Sequence, residues 1–598
     1  MKKTALGRNL NILESNLNKS SQIASLLSIS PILGDILAKT DGVDVSNAED
    51  FLNPKLKNLM PNPSKLMGMD LGVTHLCKAI IDKKTIGILG DYDVDGVSSS
   101  SMLKIFLILI GILPKIIIPN RFKDGYGPSI PLMHKMHMEK VDTIVTLDCG
   151  TVAFEPLEYA KALGMNVVVV DHHISQIDRP EAIAIINPNQ LGDDSKMGYL
   201  CAAGVTFLLC VALNAKLREM GFYEGKKEPN LLNLVPFAML GSVCDMMKMI
   251  GLNRAFYHTG IAVLQKNLQN YDSLLQEEKI AFCGLRQLIL AGGKQEISSS
   301  YDIGFIIGPM INAGGRIDSA MIGVDLLTNT DETDAARLAA ELKTLNQERR
   351  EIQEEIIESA KKMADLELAS GKNVLFLKSD KWHEGVIGIV ASKIKDLYQK
   401  PTIIGSISKN SGVMIIKASC RSIDGVDIGK SVICALENGL ILKGGGHAGA
   451  AGFSAKLDDF ERLFDFFEQH LHQDVVSAKD GAKIDIHCQI SLEQIDDKIR
   501  DISRLEPFGI GNPKPLFLIK NAVIGDYSVL KELHFRLNLR TRHKNDDKYL
   551  WKSAILFNAN ATLLGDFVKK HQGKEVDIIA NIEYGSYGLS IVVVDFAN

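Results

Sequence analysis

Between residues 85 and 187 the chain repeats one pattern, a short run of aliphatic residues followed by a stretch that reads as helix or turn. The runs are TIGILG (85–90), KIIIP (115–119), DTIVTLD (142–148), NVVVVD (166–171) and AIAIIN (182–187). Unbroken apolar strands cannot leave a face to water. A parallel sheet with helices on both faces covers them, and the segments between runs are long enough for crossovers. The expected fold class is therefore α/β, built on a parallel sheet.

The rest of the chain changes character in stages. Residues 256–330 mix helices with a Gly-rich segment, GPMINAGGRI (308–317). From 331 to 368 there is no Gly or Pro, and Ala, Leu, Glu, Lys and Arg dominate, which predicts one long bridging helix. NVLFLK (373–378) and PTIIGSI (401–407) read as strands around a helix at 388–398, a second and smaller α/β domain that closes near GGGHAGAAGF (444–453). After about residue 480, HFRLNLR (534–540) and the two terminal β-rich runs alternate apolar and polar residues, as in an antiparallel β-barrel. The expected domains are an N-terminal segment (1–70), a catalytic domain (71–330), the bridging helix (331–368), the accessory domain (369–475) and the barrel (476–598).

A chain of 598 residues with a net charge of −5 does not coat nucleic acid by bulk charge, although local basic patches remain open to it. Its nine cysteines are scattered without a CxxC pair, so neither a disulfide framework nor a thiolate zinc site is expected, and a reducing cytoplasm suits it. The start lacks an apolar signal core, and the most apolar stretch, Ile105–Ile118, is short and broken by Pro114 and Lys115. No membrane span is expected.

The chemistry collects at the strand ends. GDYDVDG puts Asp91, Asp93 and Asp95 directly after the first apolar run; Asp148 ends the third, and Asp171, His172 and His173 end the fourth. In a parallel sheet these ends share one edge, where open α/β sheets bind ligands. One acidic turn is usually a solvated loop or a helix cap. Three in succession place mutually repelling carboxylates together, which calls for a cation. Carboxylates with one or two imidazoles suit Mn²⁺ or Mg²⁺. The Gly-rich 444–452 lacks a P-loop lysine and hydroxyl, so no nucleotide triphosphate is expected.

DYDVDG, TLDCG and DHH, in this order, resemble the DHH phosphoesterase superfamily. NRFKDGYG (120–127), GSVCDMM (241–247), GPMINAGGRI, WHEGVIGIVASKI (382–394), ASCRS (418–422), GGGHAGAAG and LEPFGIGNPKPLF (505–517) narrow the resemblance to the RecJ single-strand-specific exonucleases, from about residue 60 to the end. The resemblance implies a DHH domain, a DHHA1 accessory domain and an OB-type barrel. It implies two Mn²⁺ or Mg²⁺ ions on Asp93, Asp95, Asp148, His172 and Asp245, with Asp91 beside them and His173 near the scissile phosphate. Arg121, Asn312 and Arg316 are expected to hold substrate, Arg316 from a turn whose glycines admit backbone amides to a phosphate. Ser419 and Arg421 alternate in ASCRS and would capture a terminal 5′ phosphate; His447 would touch nucleotide or brace its loop. Leu89 and Met310 depart from the residues relatives often carry, a His and an Arg, which puts one metal neighbour and one phosphate contact in question.

In the last domain, residues 531–552 hold seven Lys or Arg against three Asp or Glu, interleaved with His534, Phe535, Tyr549 and Trp551, a pattern suited to a single-strand groove. The activity implied is 5′-to-3′ degradation of single-stranded DNA to mononucleotides in repair and recombination, with a helicase and a single-strand-binding protein as partners. The alternatives are a phosphoesterase of short oligonucleotides or cyclic dinucleotides, and a DNA-binding scaffold without catalysis.

Overall fold

Strands β1 (Ile86–Gly90), β2 (Lys115–Ile117), β3 (Thr143–Leu147), β4 (Asn166–Val170) and β5 (Ala184–Ile186) pair in parallel in the order β2-β1-β3-β4-β5. Alternate residues enter two cores. Ile88, Val145, Val168 and Val170 pack with Phe106 and Val205 on one face. Leu89, Ile144, Val167 and Val169 pack with Met133 and Leu157 on the other. Both faces are covered, which is why these strands are apolar throughout rather than alternating. The chain order reverses between β1 and β3, so the crevice for a ligand opens at the carboxyl ends of those two strands.

This computed structural model describes residues 2–410, 412–495, 497–542, 549–585 and 588–597. The chain divides into two units, one of residues 12–346 and 485–598, the other of residues 1–11 and 347–484.

In the first unit α1 (Val94–Leu109) and α2 (Ala202–Glu219) lie on the sheet, and α3 (Val235–Cys244) packs against both helices. Every residue of α3 from Val235 to Ser242 is buried, as a helix apolar on all sides must be. The C-terminal barrel belongs to the same unit. The segment that leads into it is held by a fully buried cation on the next helix, α4 (Gly251–Gln269). Arg254 donates to the carbonyls of Phe51 (2.8 Å), Leu505 (3.2 Å) and Glu506 (2.9 Å), and its guanidinium lies 4.0 Å from the Phe51 ring centroid. Burial alone would make this charge costly; three carbonyl dipoles and an aromatic face offset it. The Gly-rich GPMINAGGRI forms a helix, α5 (Gly308–Ile317), preceded by one π-helical turn, Ile303–Ile307. The long helix α6 (Glu332–Ala369) runs 38 residues without a break.

In the second unit β6 (Leu375–Ser379) and β7 (Thr402–Asn410) are parallel, joined by α7 (Ile387–Tyr398). Then β8 (Val413–Arg421), β9 (Lys443–His447) and β10 (Ala450–Lys456) complete a mixed sheet in the order β9-β10-β8-β7-β6. GGGHAGAAG is thus a β9–β10 hairpin.

The barrel comprises β11 (Cys488–Ser491), β12 (Phe517–Leu530), β13 (His534–Arg542), β14 (Tyr549–Leu556), β15 (Glu575–Gly585) and β16 (Gly588–Ala597). Pairing of β12 with both β13 and β15 closes it, and closure removes the exposed strand edge. Most pairings are antiparallel; β14–β16 and β11–β12 are parallel. Among the described residues no helix is long and apolar enough to cross a membrane. All nine cysteines are free.

Candidate metal centre

The acidic turn after β1 folds back as the start of α1. Asp93 is its N-cap and accepts from the amides of Asp95 (2.9 Å) and Gly96 (3.1 Å). Gly96 is required because a Cβ there would collide with the Asp91 backbone. Asp95 is buried, and its two oxygens accept from Ala202 N (2.7 Å) and Ala203 N (2.9 Å), the first amides of α2. A helix N-terminus therefore steadies this carboxylate. Gly241 of α3 leaves the space that Asp95 Oδ1 fills.

Asp148 follows β3 with φ of +63°, a left-handed conformation that few residues other than Gly adopt without cost. Asp245 follows α3. His172 stands among them, with Nε2 at 3.3 Å from Asp148 Oδ1, 3.5 Å from Asp245 Oδ2 and 3.8 Å from Asp95 Oδ2. Three overlapping groups have donor atoms within 4.8 Å of one another: Asp95, His172 and Asp245; Asp91, Asp93 and Asp148; Asp148, His172 and His173. All five positions expected to hold metal are brought together, and Asp91 joins them.

The electrostatics ask for cations. Burial, then the charges of Asp95, Asp93 and Asp91, pushes the Asp148 carboxyl well above the usual range. Burial and Asp93 do the same to Asp91, and burial with Asp95 and Asp93 lifts Asp245 to about 9. Two carboxylates about 4 Å apart repel by roughly 4 kcal/mol at an effective dielectric near 20. Asp91 Oδ1 and Asp148 Oδ1 are buried without a hydrogen-bond partner. Burial also lowers His172, which favours the neutral imidazole that a metal needs. Oxygen donors with unfilled lone pairs and one neutral imidazole fit a hard divalent cation.

Asp171 has another task. Its carboxylate accepts from the amides of Thr151 (3.1 Å), His172 (2.7 Å) and His173 (3.2 Å), and from His173 Nδ1 at 2.8 Å. Burial opposes its ionisation, but the hydrogen bonds from His173 and Thr151 hold it well below the usual carboxylate range. Burial works against the charged His173 ring too, and the bond and charge of Asp171 outweigh it, raising that ring to about 9. His173 is half exposed, facing the cluster with Nδ1 3.9 Å from Asp148 Oδ1.

Two tyrosines complete the site, and the sequence reading used neither. Tyr126 donates its hydroxyl to the Asp148 carbonyl (3.0 Å) and lies 3.3–3.4 Å from the His173 ring nitrogens. Tyr92, inside the acidic turn, meets Tyr126 edge-on at 6.3 Å and carries the Arg121 guanidinium 5.2 Å from its ring centroid. Arg121 therefore lies beside the acidic turn. Arg316 is also close enough to Tyr92 to act on it electrostatically.

The expected Gly-rich phosphate turn at Arg316 is corrected to the last turn of α5. Its glycines serve packing: a Cβ on Gly315 would sit 2.5 Å from the Tyr92 carbonyl oxygen, and one on Gly314 would sit 2.8 Å from that of Ser319. Asn312 is half-buried on the same helix. Met310 and Leu89 are core residues, 2% and 0% exposed, so neither offers the cluster a donor or a charge.

Ser419, Arg421 and His447 lie in the second unit. Ser419 and Arg421 do share a face of β8, while Ile416, Ala418 and Cys420 are buried on the other. Arg421 donates to Ser419 Oγ (3.2 Å) and to the Cys420 carbonyl (2.8 Å). Gly388, in the first turn of α7, has its Cβ position 3.1 Å from Ser419 Oγ and 3.3 Å from an Arg421 nitrogen. A helix N-terminus, a guanidinium and a hydroxyl meet there, a combination that binds anions. His447 is exposed at the β9–β10 turn, where its Nδ1 accepts from Gly449 N at 3.3 Å and so braces the hairpin. In the barrel, Tyr549 and Trp551 are about half exposed, and Arg540 lies 4.8 and 5.6 Å from their ring centroids. Gly525 makes room for the Trp551 ring. Of the basic segment, Lys544, Lys548, Asp546 and Asp547 lie outside the described residues.

Three family models match in chain order: DHH family, N-terminal domain (85–239), DHHA1 domain (371–473) and RecJ OB domain (486–588). A single-stranded-DNA-specific exonuclease RecJ of Haemophilus influenzae is 31% identical over 91% of this chain and 92% of its own length. Crystal structures of Thermus thermophilus RecJ share the fold: in complex with Mn²⁺, TM-score 0.78 at 24% identity over 99% of this chain and 79% of that one. In complex with Mg²⁺ the TM-score is 0.70 at 22% identity, over 99% of this chain and 78% of that one. With matched domains in the same order and a curated relative aligned along nearly its whole length, the chain belongs to the RecJ family of DHH exonucleases.

Proposed function

We propose that this chain is a metal-dependent exonuclease that degrades single-stranded DNA from its 5′ end and releases nucleoside 5′-monophosphates in DNA repair and recombination. The carrying observation is the convergence of Asp91, Asp93, Asp95, Asp148, His172 and Asp245 at the switch point of a parallel sheet. The names of the relatives supply the substrate, single-stranded DNA.

Asp93, Asp95, Asp148, His172 and Asp245 would hold two divalent ions, Mn²⁺ or Mg²⁺; Asp148 stands in two of the donor groups, and Asp91 lies beside them. Bound there, such ions supply charge neutralisation of the phosphodiester and activation of water. The protein's own groups do the rest. Asp171 orients the protonated His173 ring by accepting from Nδ1, which leaves Nε2–H to meet a phosphate oxygen or to protonate the leaving one. Arg121, held over Tyr92, and Arg316 add positive charge beside the cluster. Ser419, Arg421 and the first turn of α7 would select a terminal phosphate, which sets the polarity. Asn312 and His447 are the further substrate contacts in this reading. The Arg540, Tyr549 and Trp551 group of the barrel supports a single-strand groove.

The substrate strand must be separated and kept open, so a helicase and a single-strand-binding protein are the partners the activity calls for. Nine free cysteines support a reducing cytoplasmic setting. The barrel argues against a phosphoesterase of short oligonucleotides or cyclic dinucleotides, and the complete cluster argues against a scaffold without catalysis. A substrate panel with Mn²⁺ tests this. Polynucleotide should be degraded and cyclic dinucleotides spared; the reverse would overturn the reading.

Tyr126→Phe is expected to lower kcat by about 10-fold with little change in KM, since it removes a hydroxyl that holds the Asp148 peptide and the His173 ring but keeps the aromatic packing. Steady-state kinetics on a single strand check this, and a wild-type kcat would leave the hydroxyl without a role.

A further inference from the structure

Tyr301 and Phe305 are large aromatic residues left 62% and 64% exposed, and they stack on each other at 4.8 Å with 20° between their planes. Tyr301 precedes the π-helical turn Ile303–Ile307 and Phe305 lies at its centre, while Ile303 and Ile307 are buried. Isolated exposed apolar residues are common; a stacked pair held out from a rare backbone turn is not. The turn lies on the end of α3 that carries Asp245. Cys244 Sγ is 3.8 Å from the Ile303 carbonyl, Gly308 leaves room for that same sulfur, and Gly304 approaches Val243. Met246, next to Asp245, is itself 67% exposed. Helix α5 continues from the turn until Gly315 abuts Tyr92 in the acidic turn. The aromatic pair is thus continuous, through a few packed residues, with the carboxylate cluster.

We propose that Tyr301 and Phe305 form a stacking platform for nucleobases of the strand being degraded, a subsite beside the metal centre. This rests on the reading that the site hydrolyses single-stranded DNA, and it names how the strand is held near Asp245. Every base has a π-face, so stacking grips a strand without reading its sequence, as a general exonuclease requires. A duplex keeps its bases stacked on one another and offers no such face, so the platform also favours single strands.

Binding of fluorescein-labelled oligo(dT) to the full chain, measured by anisotropy without divalent metal so that nothing is cleaved, tests the proposal. Tyr301→Ala with Phe305→Ala should weaken binding roughly 10-fold or more. Under cleavage conditions the loss should fall on KM. Phe305→Trp should bind at least as tightly as the parent, and the thermal midpoint of each variant checks that folding is intact. An oligonucleotide of abasic sites should bind parent and double variant alike. Equal oligo(dT) affinity in a double variant that still degrades the strand would overturn the platform alone and leave the pair as a contact for some other molecule, such as a protein. A parent chain that neither binds nor degrades the strand would overturn the reading beneath it, and the platform with it.

Discussion

Asp148→Ala is expected to reduce cleavage by on the order of 10³-fold or more, while oligonucleotide binding stays largely intact. Asp148 stands in two of the three donor groups, beside Asp91 and Asp93 on one side and His172 and His173 on the other. Its Oδ1 is buried without a hydrogen-bond partner, and its backbone is held in a left-handed conformation. Alanine forfeits no hydrogen bond of Oδ1, and removing the carboxylate relieves repulsion from Asp91, Asp93 and Asp95. What alanine removes is the donor common to both halves of the cluster. Isothermal titration with Mn²⁺ supplies a reading independent of turnover. The parent should bind with two sites, and the variant should lose at least one. Full activity, or an unchanged titration, would remove the metal role from Asp148.

Arg421→Ala should cost roughly 10- to 100-fold in the preference for a 5′-phosphorylated end, the range of one or two charge-assisted hydrogen bonds. The guanidinium is positioned by Ser419 and the Cys420 carbonyl, next to the first turn of α7. It lies in a unit that holds none of the metal-cluster carboxylates, so the change should leave metal titration untouched. Competition between 5′-phosphorylated and 5′-hydroxyl strands measures the effect. An unchanged ratio would take end capture away from this strand.

The cluster was readable from sequence because topology does the work. Once β1, β3 and β4 are parallel, the residues that follow them share an edge, whatever their separation along the chain. Asp245 was different: it ends a helix and is known only through the resemblance, since no local pattern marks it. The alternation of Ser419 and Arg421 is likewise a local property, and both residues lie on strand β8. What escaped depends on contacts between distant segments. Glycines in GPMINAGGRI suggest a turn by composition, yet here they let a helix press against Tyr92. Tyr126 gains its role from a carbonyl 22 residues away, and Arg254 from carbonyls more than 200 residues away on either side. An arginine in a helix otherwise reads as surface. Asp171 looks like another ligand in sequence; only the four donors around it show a carboxylate already committed to bracing the two histidines.

The activity proposed for this chain is a metal-dependent attack on single strands that begins at the 5′ end. Incubation with Mn²⁺ of one strand labelled at either end, beside the matching duplex, tests it most directly. Early release of labelled mononucleotide from the 5′-labelled strand, steady shortening of the 3′-labelled strand, an intact blunt duplex, and no reaction once the metal is chelated are expected. Loss of label first from the 3′ end, equal attack on the duplex, or turnover that persists in chelator would contradict it.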